Sequence, residues 1–209
     1  MLYCPPQTAF PNQTALYNFI EQHSFGCLVS APFFCSHLPW LLQRDEGEQG
    51  VLYGHIARQN PHCQLLSKAP QSEVLITFTG PHSYISSRWY QSKQAVPTWN
   101  YAVAQITGYP ELLDNAATMN HLAQQVAKYE PDIGQAMVKM PFQYQQQLSA
   151  GIVGVKVTIT KLTGKLKLGQ HRSAADQQGV FAALSNNPEP EAQALAALMQ
   201  QYELGVGSA

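Results

Sequence analysis

The chain has 209 residues, enough for one domain with a buried core or for a domain carrying a helical appendage. Charged residues make up only 12% against about a quarter in an ordinary soluble domain, so Gln, Asn, Ser and Thr carry much of the surface and part of it is expected to meet a partner subunit. The net charge of −1 excludes a global field toward nucleic acid or membrane, and no apolar run is long enough to span a bilayer.

Cys4, Cys27, Cys35 and Cys63 show no C-x-x-C spacing, so no zinc or redox motif follows and they read as small core residues of a reduced protein. Cys4-Pro5-Pro6 interrupts any apolar core near Met1, so no signal peptide is expected and a soluble, cytoplasmic protein is.

Asn12 is a good N-cap, and Leu16, Phe19, Ile20 and His23 follow at helical spacing, which predicts a helix ending near Ser24. Strands are expected over 25–30, over 33–42 with Pro32 and Pro39 disturbing it, and over 51–56 after a turn at 45–50. Asn60 is placed to cap a short helix beginning at Pro61. Further strands are expected over 74–79 and 99–107, with a short return strand over 83–86. Pro110 is expected to open a helix over 111–128, with Leu112, Ala116, Met119, Ala123 and Val126 on its buried face. Glu111 and Asp114 would lie in its first turn and Lys128 in its last. A short helix over 137–147, broken by Pro141, would follow.

Residues 152–168 form a long β segment whose apolar set changes phase. Val153, Val155, Val157 and Ile159 share one face, but beyond Lys161 the apolar residues are Leu162, Leu166 and Leu168. A one-residue shift moves every side chain to the other face, so a bulge or turn is expected near 161–164, letting one strand serve two parts of a barrel. Helices over 174–184 and 191–202 and a frayed end over 205–209 complete the chain. The expected fold is α+β: a small, mostly antiparallel barrel with helices outside, in a single domain that includes a C-terminal helical segment over 173–204.

Three stretches carry possible chemistry. Residues 78–101 gather Phe78, Tyr84, Trp89, Tyr90, Trp99 and Tyr101 between corners at Gly80-Pro81 and Val96-Pro97. They read as a surface loop with its own small core or as one wall of a site for a flat ligand. Between Asp132 and Asp176 there is no acid, while Lys139, Lys156, Lys161, Lys165, Lys167 and Arg172 lie there with His171. Such a stretch faces a phosphate, a nucleic-acid backbone or only solvent. Arg58, Gln59 and Asn60 crowd the exit of the 51–56 strand, where a guanidinium and backbone N–H groups suit a phosphate. No G-x-S-x-G elbow, Walker A loop or G-x-G-x-x-G is present, and His55, His62 and Cys63 match no standard metal spacing. No catalytic acid or base is identified.

GHIARQNP at 54–61, TGPHSYISSRWY at 79–90, VPTWNY at 96–101 and KLTGKLKLGQHR at 161–172, with DQQGV after it and HSFGCLVS near the start, resemble the PaiB family. The resemblance runs in order over most of the chain. It implies an FMN-binding negative transcriptional regulator, built on the flavin split barrel of pyridoxamine-phosphate oxidases and forming a homodimer with FMN near the subunit interface. Carried over motif by motif, it puts His55, Ala57, Arg58, Gln59, Asn60, Trp99, Asn100, Lys167, Gln170 and Arg172 at the cofactor. Arg58, Gln59 and Asn60 would serve the phosphate and Trp99 the ring. Ile56, Gln59, Gly169 and His171 depart from the family's GHMARANP-like and KLSQNR patterns, and Gly169 removes a serine hydroxyl. The alternatives are a flavin- or haem-dependent oxidoreductase on the same barrel, and direct DNA binding through Lys156 to Arg172.

Overall fold

A computed structural model describes residues 2–132 and 149–207. The helix expected over 137–147 lies outside the described residues. The strands are β1 (Phe25–Ser30), β2 (Phe34–Pro39), β3 (Leu41–Gln43), β4 (Val51–Ala57), β5 (Val74–Ile85), β6 (Thr98–Leu112) and β7 (Ile152–Lys167). They form one seven-stranded sheet in the order β2-β1-β5-β6-β7-β4-β3. β1 pairs antiparallel with β2 and β5, and β4 with β3 and β7. The helices whose bounds lie among the described residues are α1 (Gln13–Gln22), α2 (Pro61–Lys68), α3 (Asn115–Tyr129), α4 (Ala174–Ser185) and α5 (Pro190–Tyr202). The architecture is the expected α+β fold.

Two compact units divide the chain: residues 1–16, 79–104 and 163–209 in the first, and residues 17–78 and 105–162 in the second. In the second unit the fully buried residues include Phe19, Ile20, Leu28, Trp40, Leu52, Ile76, Phe78 and Ile106. In the first, Ile85, Leu166, Leu168 and Leu184 are among those with the least exposure, and α4 packs on α5 and on the 3-10 turn Ser87–Trp89.

The helix ends follow local chemistry. Asn12 Oδ1 accepts from Ala15 N at 2.8 Å and opens α1, while Asn60 Oδ1 accepts from His62 N at 2.9 Å and opens α2 at Pro61, as expected. The third helix differs. β6 stays extended through Pro110 to Leu112, and α3 starts only after Asp114, whose Oδ1 accepts from Ala117 N at 2.8 Å. Its buried residues are Thr118, His121 and Gln125, whereas Ala116 and Ala123 are exposed. Polar groups win that face because they complete the backbone of unit-mates. Thr118 Oγ1 accepts from Gly154 N at 2.9 Å, and Gln125 Nε2 donates to the Pro39 carbonyl at 3.1 Å.

Two other expectations change, and a third, the phase change in the last strand, holds without a chain-reversing turn. The expected 33–42 strand is two, β2 and β3, separated at the buried Trp40. The return strand at 83–86 is the end of a continuous β5. β7 is a single strand through its phase change: Val153, Val155, Val157 and Ile159 are buried, then Leu162 and Thr163 are both half-buried, then Gly164, Lys165 and Leu166 are buried. The boundary between the two units falls at that change, between Leu162 and Thr163.

The chain end is not frayed up to Gly207. Gly205 and Gly207 are buried, Gln178 Nε2 donates to Gly207 O at 3.1 Å, and Gly207 N donates to Gln177 Oε1 at 3.1 Å. Gly205 has φ +73°, and a Cβ there would run into the Leu168 carbonyl. Gly205→Ala is therefore expected to lower the unfolding free energy by about 2–4 kcal/mol, from left-handed backbone strain plus overpacking. Urea unfolding of the variant against wild type checks this; an unchanged midpoint would show that the segment does not dock.

Candidate functional site

The cofactor candidates fall into the two units, and each group has its own geometry. Trp99, Asn100, Lys167, Gln170 and Arg172 belong to the first unit. Lys167, near the end of β7, donates from Nζ to Thr98 Oγ1 and to the Trp99 carbonyl, both at 2.7 Å, and lies 5.9 Å from the Tyr101 ring centroid. Lys165 is buried, donates to the Tyr3 carbonyl at 2.9 Å and lies 5.6 Å from the same ring centroid. Burial, then the charges of Lys165 and Arg172, lower the Lys167 pKa from its ordinary value. Among the described residues no carboxylate forms an ion pair with these three cations. An ammonium has three donors, and Lys167 spends two on neutral oxygens, leaving one.

An aromatic surface lies in the same unit. Trp99 is 53% exposed and packs against His82, with centroids 6.1 Å apart, and edge-on against Tyr84, also at 6.1 Å. The loop before β6 is tied down by Asp176 in the first turn of α4. Its Oδ1 accepts from Gln91 N and Ser92 N at 2.8 Å each, and its Oδ2 from Ser92 Oγ at 2.6 Å. The Ser92 hydroxyl and N–H, ahead of the Ser173 and Gln91 contributions, hold the Asp176 carboxyl below its ordinary pKa. Arg172 stacks over the buried Tyr90 ring at 4.9 Å.

Gln170 is committed to its own turn: Oε1 accepts from Leu168 N at 2.9 Å, and Nε2 donates to Leu166 O at 2.7 Å and Gln7 O at 3.0 Å. Gly169 has φ +78°, where a serine would be strained, so its departure from the family pattern suits the backbone. Asn100 is buried beside it: its Nδ2 would stand 3.5 Å from a Cβ placed on Gly169. The sequence places Tyr101 and Lys165 in the aromatic and cationic stretches without assigning them to the cofactor, and it does not single out Thr98 or Asp176, although the acid in the DQQGV stretch is a legible helix-start signal.

His55, Ala57, Arg58, Gln59 and Asn60 belong to the second unit, at the end of β4 and in the turn after it. Ala57, Arg58 and Gln59 are exposed, and Asn60 N closes the turn on Ala57 O at 2.9 Å. Arg58 Nη2 donates to Asn115 Oδ1 at 2.8 Å rather than to an acid, and Asp114 is occupied as the α3 cap. Asn60 Nδ2 also reaches Ser36 Oγ at 3.2 Å. Beside it His62 is buried between Ser30 Oγ at 2.8 Å on Nε2 and Ser36 Oγ at 2.9 Å on Nδ1, and burial lowers its pKa.

His55 turns away from this turn, toward α3. Its ring lies 6.2 Å from that of His121, which is only 3% exposed and stacks on Tyr53 at 5.9 Å. Both ring nitrogens of His121 and Nδ1 of His55 lack hydrogen-bond partners among the described residues. A cavity of about 540 Å³ opens beside His121, its wall including Gln43, Tyr53, Glu111, Gln124 and Lys156. Lys156 is ion-paired there with Glu46 at 2.9 Å.

The fold is that of the flavin split barrel. Residues 2–161 match the family described as "Putative FMN-binding domain", and the chain belongs to that family. It is 30% identical over 204 residues to Protease synthase and sporulation protein PAI 2 of Bacillus subtilis, covering 95% of this chain and 97% of that one, which bears out the PaiB resemblance. Among solved structures it is similar to the FAD and heme binding protein from Mycobacterium smegmatis, with TM-score 0.55 and 12% identity over 77% of this chain and 73% of that one. It is also similar to the flavocytochrome Anf3 from Azotobacter vinelandii, with TM-score 0.53 and 12% identity over 77% and 69%.

Burial, then the charge of His55, pushes the His121 pKa down from 6.5 to about 4. As pH falls, the unfolded chain takes up this proton first, so the stability present above about pH 6.5 declines toward about pH 4. His121→Leu cannot take up the proton, and between about pH 7.5 and pH 4.5 it should lose roughly 2–3 kcal/mol less than wild type. Urea unfolding at the two pH values measures the difference, and parallel losses would place the acid sensitivity elsewhere.

Proposed function

We propose that this protein binds FMN and acts as a homodimeric, cytoplasmic negative regulator of transcription of the PaiB type. Membership of the FMN-binding family supports the flavin. The observation that carries the reading is the Lys165–Lys167–Arg172 cluster, with no carboxylate partner among the described residues, in the same unit as the exposed face of Trp99. Three cations that raise one another's cost are relieved by a dianionic phosphate, and an exposed indole offers area to a flat ring. In the first unit Trp99, Asn100, Lys167, Gln170 and Arg172 are assigned to FMN, and in the second unit His55, Ala57, Arg58, Gln59 and Asn60 are. The redox chemistry would be the cofactor's, while the chain supplies binding and charge.

DNA contact through β7 is not part of this reading. Lys156 is neutralised by Glu46, and Lys165 and Lys167 donate to main-chain oxygens, so the strand presents no comb of solvent-facing cations. No helix among the described residues is long and apolar enough to cross a membrane.

Removing one side of a desolvated charge pair costs about 2–5 kcal/mol, roughly 30- to several-thousand-fold in affinity. Lys167→Ala is expected to weaken FMN by that range and to leave riboflavin, which lacks the phosphate, nearly unchanged. Arg58→Ala should do the same with little effect on folding, because the Arg58 side chain is exposed and its hydrogen bond among the described residues is to the Asn115 amide, while its backbone N–H bond to Gly151 O survives the substitution. Arg58→Lys should recover part of the loss. Fluorescence titration of each variant with both flavins decides; equal weakening of both, or of neither, removes that residue from the phosphate.

The dimer rests on the low charge content and on the exposed Tyr84, Val96 and Trp99 beside the ligand candidates. Sedimentation of the FMN-loaded protein at micromolar concentration should give twice the chain mass, and a monomer would contradict it.

A further inference from the structure

The β1–β2 hairpin brings together three side chains that the sequence spacing left apart. Cys27 stands directly opposite His37 in the antiparallel register, and Cys35 stands opposite Val29, two residues before His37. Residues two apart on a strand share a face, so Cys27, Cys35 and His37 project from one side of the hairpin. Their ligand atoms all lie within 4.8 Å of one another, and the Cys27 and Cys35 sulfurs are 3.0 Å apart. Both cysteines are free thiols; Cys27 is half-buried, and Cys35 and His37 are exposed. The expectation that the cysteines fill the core holds for Cys63, which is buried, and fails for Cys35. β2 is an edge of the sheet, so the group is reachable from solvent. The Phe25 ring stacks on His37 at 6.1 Å and 27°, restricting the imidazole.

We propose that Cys27, Cys35 and His37 form a binding site for a thiophilic divalent cation, Zn²⁺ by the chemistry of its donors. Two sulfurs and one imidazole nitrogen, with no carboxylate among them, are a soft to borderline set that disfavours Ca²⁺ and Mg²⁺. Zinc takes Zn–S near ~2.3 Å and Zn–N near ~2.0 Å, which in a tetrahedron separates the ligand atoms by about 3.5–3.8 Å. With the three atoms within 4.8 Å of one another and the sulfurs at 3.0 Å, the imidazole has to close in by no more than about 1 Å and the sulfurs have to part by less than about 1 Å. Binding replaces two S–H bonds by two Zn–S bonds and releases two protons to solvent, with no change of oxidation state. Three protein ligands leave the fourth position open to water or to an incoming donor, as in exchangeable rather than closed structural sites. The bound ion would also clasp the edge strand β2 to β1. The site is independent of the flavin reading, since none of its residues is assigned to FMN.

The test uses the full chain, reduced and then freed of reductant, with Co²⁺ as the spectroscopic probe and Zn²⁺ as competitor. One equivalent of Co²⁺ should give thiolate-to-cobalt absorption in the near ultraviolet with the visible bands of a tetrahedral ion, and one equivalent of Zn²⁺ should abolish both. Cys35→Ser should weaken Zn²⁺ on the order of 100-fold, and His37→Ala by tenfold or more. Cys4→Ser, in the other compact unit, should leave binding unchanged. Circular dichroism with a chelator present confirms that the variants fold, as expected for exposed positions. Cobalt spectra without a thiolate band, equal Zn²⁺ affinity in wild type and Cys35→Ser, or a Cys27–Cys35 disulfide that persists in reductant and is seen as loss of two hydrogens in mass, would each overturn the proposal.

Discussion

Much of this molecule hangs on how β7 changes the face it buries. A strand shows alternate residues to opposite sides, so its phase decides which side chains enter a core. From Val153 to Ile159 the odd-numbered residues are buried, and beyond the half-buried pair Leu162–Thr163 the even-numbered Gly164, Leu166 and Leu168 are. The same strand therefore supplies two cores, one in each compact unit. The shift also decides where the lysines go. Lys156, on the earlier phase, projects to Glu46; Lys165 and Lys167 fall opposite Leu166 and come to Tyr101. Without the shift, the apolar leucines would be set on the cationic side.

Charge balance separates the two ends of that strand. Lys156 has a carboxylate at 2.9 Å, which raises its own pKa and lowers that of Glu46. Both groups are partly solvated, so the pair contributes little to stability, about 0–1 kcal/mol. Among the described residues Lys167 has two neutral oxygens and the Tyr101 ring as partners and two neighbouring cations, and its pKa is lowered. A folded chain that keeps such a group sacrifices stability for it in the absence of an anion. The formal net charge of −1 conceals this contrast, because it sums over sites whose local balance differs in sign.

The fold was legible where a single local rule governed. Asn12, Asn60 and Pro61 marked helix starts, the register shift marked the turning point of β7, and the turn at 45–50 separated the early strands. It was misread where distant groups overrode the pattern. Leu112, Ala116, Met119, Ala123 and Val126 have helical spacing, yet α3 buries Thr118, His121 and Gln125 because Gly154 N and the Pro39 carbonyl require polar partners. No periodicity of α3 alone contains that demand. The end of the chain looked frayed because Gly205 and Gly207 carry no side chain to signal packing, but the lack of a side chain is what lets them approach Leu168 and Gln178. The site was legible as residue types in motifs. What each residue does was not: Gln170 closes its own turn, His55 faces His121, and Asp176 anchors the loop through Ser92.

The departure from the family pattern at Gly169, just past the end of β7, illustrates how backbone and ligand requirements combine. At Gly169 the chain takes φ +78°, and Arg172 N returns to Gly169 O at 2.9 Å, so the residues between them form a tight turn. The Gln170 side chain braces that turn from inside by bonding Leu168 N and Leu166 O, and Gln177 of α4 braces it from outside by donating to the Gln170 and Arg172 carbonyls at 3.3 and 2.7 Å. A glycine adopts this conformation without steric cost, while a serine at that φ would offset some of what its hydroxyl contributed. The turn is what delivers Arg172 to the Tyr90 face and within electrostatic reach of Lys167. Gly169 therefore serves the cationic cluster by conformation, in place of a side-chain hydrogen bond.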